Sequence, residues 1–143
     1  GIKEALDGEA PLVLPSSLAP RQALAQLLAA HGHCLLLEEG GWILGLVTLE
    51  DLQRILTANP DSAVLADCLR TELVWLPADA DLSRLEDQLR PNGLRQLPVF
   101  AIDDGLPAQL PHGLPSGGLG VDQLQGLASR DGLARALARR LNV

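Results

Sequence analysis

The sequence predicts an α/β (α+β) fold made of two copies of one β-α-β-β-α unit, and three observations carry that prediction. First, the phrase Gly45-Leu46-Val47-Thr48-Leu49-Glu50-Asp51-Leu52-Gln53-Arg54-Ile55-Leu56 opens as the end of an apolar strand and closes at helical spacing. Second, it returns 81 positions later as Gly126 to Leu137, with Gly, Leu, Leu, Arg and Leu kept in place and Ser129 standing for Thr48. Third, the same elements precede each copy in the same order. One such unit of about 60 residues leaves a sheet face bare. Two are expected to bury it, with their small sheets packed together and helices flanking.

Taken in order, Ile2, Ala5 and Leu6 can make one helical turn before Asp7-Gly8. Leu12-Val13-Leu14 is a short strand stopped by Pro15. Pro20 opens a helix in whose first turn proline is tolerated, and Ala23, Leu24, Leu27 and Leu28 form its buried stripe. Gly32 ends it. Cys34 to Leu37 and Trp42 to Val47 read as a hairpin around Glu38 to Gly41, and helix Leu49 to Leu56 follows. Thr57 to Ser62 is a polar break, placing a first repeat with its lead-in at residues 1–62 and a second at 63–143.

The second repeat answers the first. Val64 to Leu69 is a short helix, Leu73 to Leu76 a strand, and Leu82 to Leu89 a helix offset by 61 from the first repeat's. Leu97 to Ile102 is a strand matched to Leu35-Leu36-Leu37 at an offset of 63, so the offset of 81 at the final phrase leaves 18 extra residues. They lie in an enlarged loop, 106–123, rich in Pro and Gly yet carrying four leucines. Loops this long are functional or disordered. Leucines left in water are costly, so the loop is expected to dock, on its own repeat, an attached domain or a second copy, and to be dispensable for folding.

Composition narrows the function. Apolar residues make up 47% and charged residues 20%, a globular balance. A formal net charge of −7, with two Trp, one Phe and no Tyr, argues against a nucleic-acid partner, which wants basic grooves and stacking platforms. Cys34 and Cys68 sit in apolar contexts and read as buried hydrophobes. Two cysteines and three histidines give no metal-ligand spacing and no nucleophile elbow, so no catalytic or metal site is expected. The chain contains no Met, which suits a piece of a longer protein.

The tandem order, with Gly-h-h-Thr/Ser-x-x-Asp opening each last helix and Leu97-Pro98-Val99-Phe100-x-x-Asp103 in a central strand, resembles the CBS domain pair, or Bateman module. The resemblance spans about Leu12 to Leu141. It implies a regulatory module that binds an adenine nucleotide (AMP, ADP or ATP), forms a homodimer, and modulates an attached enzyme or transporter such as a chloride channel. It implies no reaction and no required cofactor. A cytoplasmic setting follows, as the cytosolic tail of a membrane protein. The alternative is a structural dimerisation module that takes no ligand.

By the same resemblance Thr48 takes the phosphate and Asp51 the ribose hydroxyls. The chemistry fits, because a helix N-terminus offers amide donors and partial positive charge, and a carboxylate one turn on can accept from hydroxyls. The same two residues also spell a capping box. His33 lies where the family often places a basic side chain, with Arg95 and Arg130 in the comparable region of repeat two. There Ser129 keeps the hydroxyl, but Gly132 holds the ribose position and Asp131 comes one residue early. Arg135, Arg139 and Arg140 read as a solvated, dipole-complementing helix end.

Overall fold

The repeated phrase folds as strand running straight into helix, twice. The structure, a computed structural model, describes residues 1–58, 64–69, 72–102, 109–111 and 118–141. The first repeat supplies β1 (Val13–Pro15), α1 (Pro20–Ala29), β2 (Cys34–Glu39), β3 (Trp42–Thr48) and α2 (Leu49–Ala58). The second supplies β4 (Glu72–Val74), β5 (Leu76–Pro77), α3 (Ser83–Leu89) and β6 (Gln96–Phe100). Then come β7 (Gln109–Pro111), β8 (Leu119–Gly120), β9 (Leu124–Ser129) and α4 (Arg130–Leu141). Single 3-10 turns occupy Ile2–Ala5, Leu65–Cys68 and Val121–Gln123. Among the described residues, two small mixed sheets, a two-stranded ribbon and four α-helices make an α+β chain, as predicted.

Contacts divide the chain into two compact units, one of residues 11–73 and 110–122, the other of 1–10, 74–109 and 123–143. The expected division at residues 62 and 63 follows the chain linearly; the contacts do not. Each repeat's core is completed by the segment that precedes the other repeat. Leu65 and Cys68 are buried among Leu14, Ala23, Leu27, Leu35, Leu37, Val47 and Leu52 of the first repeat. Ile2 and Ala5 are buried among Leu76, Leu85, Leu89, Leu97, Val99, Ala128 and Ala136 of the second. A large and a small apolar side chain three residues apart in both segments, Ile2 with Ala5 and Leu65 with Cys68, make either turn a plug for a core floor.

In the first unit the strand order is β1-β2-β3-β8, with β1 parallel to β2 and the other neighbours antiparallel. Gly40 and Gly41 form the two-residue hairpin turn at φ 59° and 87°, a left-handed pair that glycine adopts without a Cβ penalty. In the second unit β5 lies parallel to β6, and β6 antiparallel to β9. Trp75 and Phe100 meet edge to face there, with ring centroids 6.1 Å apart. β4 and β7 pair as a short two-stranded ribbon.

The registers correct the repeat alignment. Leu37 faces Gly45 in one hairpin and Val99 faces Gly126 in the other. Leu14 pairs with Leu37, and Leu76 with Val99. The elements of each repeat that precede the enlarged loop therefore correspond at a single offset of 62, not 61 and 63. Leu36, not Leu35, stands at the place of Pro98. The helices agree: Ala23 and Leu27 are the buried pair matching Leu85 and Leu89, whereas Leu28, expected in the stripe, is 55% exposed. A one-residue slip matters because it turns every side chain to the opposite face.

Part of the enlarged loop docks, and on an unexpected surface. Leu119 and Gly120 pair with Ile43 and Trp42, and the Val121 N–H donates to the Gly41 carbonyl at 2.9 Å. Leu119 is fully buried. The loop of the second repeat thus adds a strand to the first repeat's sheet instead of folding back on its own. The open edge of β3 presents the unpaired backbone groups that invite this pairing. Residues 103–108 and 112–117 of the loop region, including Asp103 of the strand motif, lie outside the described residues, as do residues 59–62 of the polar break.

Candidate functional site

The Thr48-x-x-Asp51 phrase stands where β3 passes into α2. The Thr48 hydroxyl accepts the Asp51 N–H at 3.1 Å, and the Thr48 N–H donates to Asp51 Oδ2 at 3.0 Å. This is the reciprocal capping box, which satisfies two donors that a helix start would leave without acceptors. Asp51 Oδ1 accepts from Arg54 Nη2 at 3.3 Å, a residue whose side chain is 58% exposed. Asp51 itself is fully buried. Cys68 belongs to the same region of the core, and its thiol is pushed up to about 11, first by burial and then by the Asp51 carboxylate.

His33 is exposed, and its carbonyl accepts the Leu49 N–H at 3.0 Å, so the residue reaches the start of α2 through its backbone. The second repeat makes the same connection from the Arg95 carbonyl to the Arg130 N–H at 3.4 Å. The structure therefore brings Thr48, Asp51 and the backbone of His33 together at one helix N-terminus. Ser129 stands at the equivalent helix start of the other repeat.

Around Ser129 the chemistry differs. Its hydroxyl accepts the Gly132 N–H at 2.9 Å, keeping half of the cap, and donates to Asp7 Oδ1 at 2.7 Å. Gly132 supplies no carboxylate, and its open side is occupied. A Cβ built there would lie 1.9 Å from the Ala5 carbonyl oxygen. Asp131 is exposed. The arginines expected to be merely solvated hold the lead-in: Arg135 Nη2 reaches Asp7 Oδ1 at 3.1 Å, Arg139 Nη2 the Glu4 carbonyl at 2.7 Å, and Arg140 Nη2 Glu4 Oε2 at 2.7 Å. The Glu4 carboxyl is held down at about 2 by the hydrogen bond from the Gly1 ammonium and next by that from Arg140.

Sequence reasoning missed Asp7, Gln96, Arg54 and Cys68 as neighbours of these helix starts. Arg54 carried a signal, since it follows Asp51 by three residues on a helix. Asp7 carried none. Asp7-Gly8 reads locally as a turn, and its partner lies 122 residues away.

No family model matches the chain, and no curated protein matches it by sequence. Solved structures do match in fold. The protein CBSX2, solved in complex with AMP, is 17% identical at a TM-score of 0.71, covering 98% of this chain and 97% of its own. The CBS domain pair of protein MJ0100, solved with 5′-methylthioadenosine and S-adenosylmethionine, is 15% identical at 0.71, with 97% and 96% covered. A CBS domain protein from Streptococcus pneumoniae is 14% identical at 0.69, with 98% and 84% covered. With the element order, the registers and the capped helix starts in place, the chain has the fold of a CBS domain pair.

Proposed function

We propose that this chain is a regulatory module that takes an adenine nucleotide (AMP, ADP or ATP) at the first repeat and modulates an attached enzyme or transporter. The observation that carries the reading is the asymmetry of the two helix starts. Only the first pairs its hydroxyl, Thr48, with a carboxylate three residues on, Asp51, in reciprocal bonds at the helix N-terminus. Solved neighbours of the same fold, at low sequence identity, hold AMP or S-adenosylmethionine and methylthioadenosine. In this reading the amides and hydroxyl at the start of α2 hold phosphate. Asp51 Oδ1, faced by the exposed Arg54, turns to the ribose hydroxyls, and the exposed His33 ring supplies polar contact at the rim. Modulation is binding without a reaction, with no required cofactor, in a cytoplasmic setting beside the attached domain. A chloride channel or another membrane transporter is the kind of host this suits.

A second reading is favoured by a specific observation: Asp51 is fully buried and already engaged by the Thr48 N–H and Arg54. On that reading the pair is a structural module that only dimerises. Both readings include a homodimer, supported by the exposed Leu137 and Leu141 one turn apart on α4. Sedimentation showing only a 15.1 kDa species at about tens of micromolar, a range suited to modest interfaces, would count against it.

Thermal melts with AMP, ADP, ATP and S-adenosylmethionine separate the readings. A ligand at about 100 times its dissociation constant adds about 2.7 kcal/mol of stability. Asp51→Asn keeps an oxygen for the Thr48 N–H while removing the charge, and is expected to weaken binding by roughly 1–3 kcal/mol. Asp131→Ala is expected to change nothing. A melt unmoved by all four compounds leaves the structural reading standing and removes the regulatory one.

A further inference from the structure

The second repeat holds an anion of its own. The Asp7 carboxylate receives three side-chain donors from three elements. Ser129 Oγ, at the end of β9, donates to Oδ1 at 2.7 Å; Arg135 Nη2, on α4, donates to the same oxygen at 3.1 Å; Gln96 Nε2, at the start of β6, donates to Oδ2 at 2.6 Å. The Asp7 N–H is fixed in turn by the Leu127 carbonyl at 2.8 Å. Ser129 is 6% exposed and is itself anchored by the Gly132 N–H. A cation, a hydroxyl and an amide converging on two carboxylate oxygens form a charge-assisted anion cradle. Two residues earlier in the same segment, the Ala5 backbone fills the space beside Gly132, where a side chain on α4 would otherwise project. One stretch, Ala5 to Asp7, therefore covers both the wall and the anion position of this helix start.

We propose that the second repeat is a self-liganded site, an autoinhibitory contact in which Asp7 stands in for the phosphoryl group of an external ligand. The cradle of Gln96, Ser129 and Arg135 recognises a phosphate monoester or inorganic phosphate, and the lead-in keeps it closed. Neutralising or withdrawing Asp7 opens it. Nothing in this inference depends on a nucleotide at the first repeat, since its site, its variants and its probe are separate.

The test uses the full chain and inorganic phosphate, with chloride at matched ionic strength as the reference. In wild type, phosphate is expected to leave the melting temperature and the Gly132 amide resonance at their chloride values. Asp7→Ala is expected to melt lower, to be restored by phosphate, and to show a saturable shift of the Gly132 amide. Its apparent phosphate affinity should exceed that of wild type by at least about ten-fold, the weight of one charge-assisted contact released. Adding Arg135→Ala to Asp7→Ala should abolish the response. Where Asp7→Ala does not melt cooperatively, Asp7→Asn, which keeps the volume and drops the charge, is expected to show the same phosphate dependence at smaller amplitude. A folded Asp7→Ala or Asp7→Asn indifferent to phosphate overturns the proposal. So does a wild type that responds as strongly as the variants, or a response that survives loss of Arg135.

Discussion

His31 and Gly93 occupy the same place at the ends of α1 and α3, and only one of them is a glycine. His31 sits at φ 53°, Gly93 at φ 64°. After α1 the His31 N–H reaches the Leu28 carbonyl and the Gly32 N–H the Leu27 carbonyl, the paired bonds of a left-handed helix cap. A non-glycine residue there costs roughly 1–2 kcal/mol of backbone strain. Glycine regains that but costs about 0.4–1 kcal/mol more entropy on folding. His31→Gly is therefore expected to stabilise by up to about 1 kcal/mol in urea denaturation; a loss of stability would refute the cap assignment. Gly32 was the visible stop signal, and the left-handed residue turned out to be its neighbour. Cap positions one residue apart are hard to separate by composition alone. Cys68 gives a second prediction at this scale. Burial raises its thiol to about 11, above the ordinary value of about 8.5, so the protonated form is favoured by folding. The stabilisation is complete below about pH 8.5 and is lost as pH rises through about 11. The chain also holds Cys34, one Lys and no Tyr, so the contribution of this thiol is read as a difference from Cys68→Ala, which keeps those other groups. Melts of wild type are expected to fall across it more steeply than those of Cys68→Ala, and equal slopes would contradict the placement of the thiol.

Helix start and lead-in meet most closely at Gly132, and there helix propensity and packing pull in opposite directions. Alanine is better than glycine inside a helix by about 1 kcal/mol. Yet the Cβ of Gly132→Ala would lie 1.9 Å from the Ala5 carbonyl oxygen, a backbone atom that moves only with its whole turn. Such overpacking costs about 1–3 kcal/mol, so the substitution is expected to destabilise or to detach the Ile2–Ala5 turn. Protease cleavage near Asp7 would report detachment; a more stable, uncleaved variant would show that the contact is loose. The elements themselves were readable from the sequence because leucine spacing marks helices and apolar runs bounded by Gly and Pro mark strands. The capped start of α2 was readable for the same reason, since Thr48 and Asp51 are three residues apart. The filling of the second helix start was not. Ala5 and Asp7 act on residues more than a hundred positions away, and periodicity carries no record of such pairings.

At the scale of the molecule, the short strand β8 alters what the enlarged loop is for. Repeat one closes its own hairpin with Gly40 and Gly41, which suggested that residues 106–123 were dispensable. Leu119 is nevertheless fully buried, and its strand covers the β3 edge at Trp42 and Ile43. Replacing 106–123 with a short Gly-containing turn is expected to leave a folded chain that is weaker by about 1.5–3 kcal/mol, the burial of one leucine. Denaturant midpoints of the shortened and full chains check this; an unchanged midpoint would show that the edge pairing contributes nothing. The loop's length and leucines pointed to docking, but its target depended on which sheet edge lay open.

The exchange of lead-in segments sets an order for events during synthesis. Glu4 is bound by Arg140, 136 residues further on, and Asp7 by Ser129 and Arg135. Glu4 and Asp7 must therefore wait for a segment made more than a hundred residues later before they find their seats. Domains emerging at about 5–20 residues per second usually fold as units from the N-terminal end. Here the unit of residues 11–73 and 110–122 can begin earlier, because most of its core emerges as one stretch. The other unit can close only when α4 is free, with Ile2 and Ala5 uncovered in the interval. Ile2 and Ala5 thus stay without their core partners while the residues up to α4 are made, an exposed apolar turn of the kind that a chaperone can hold.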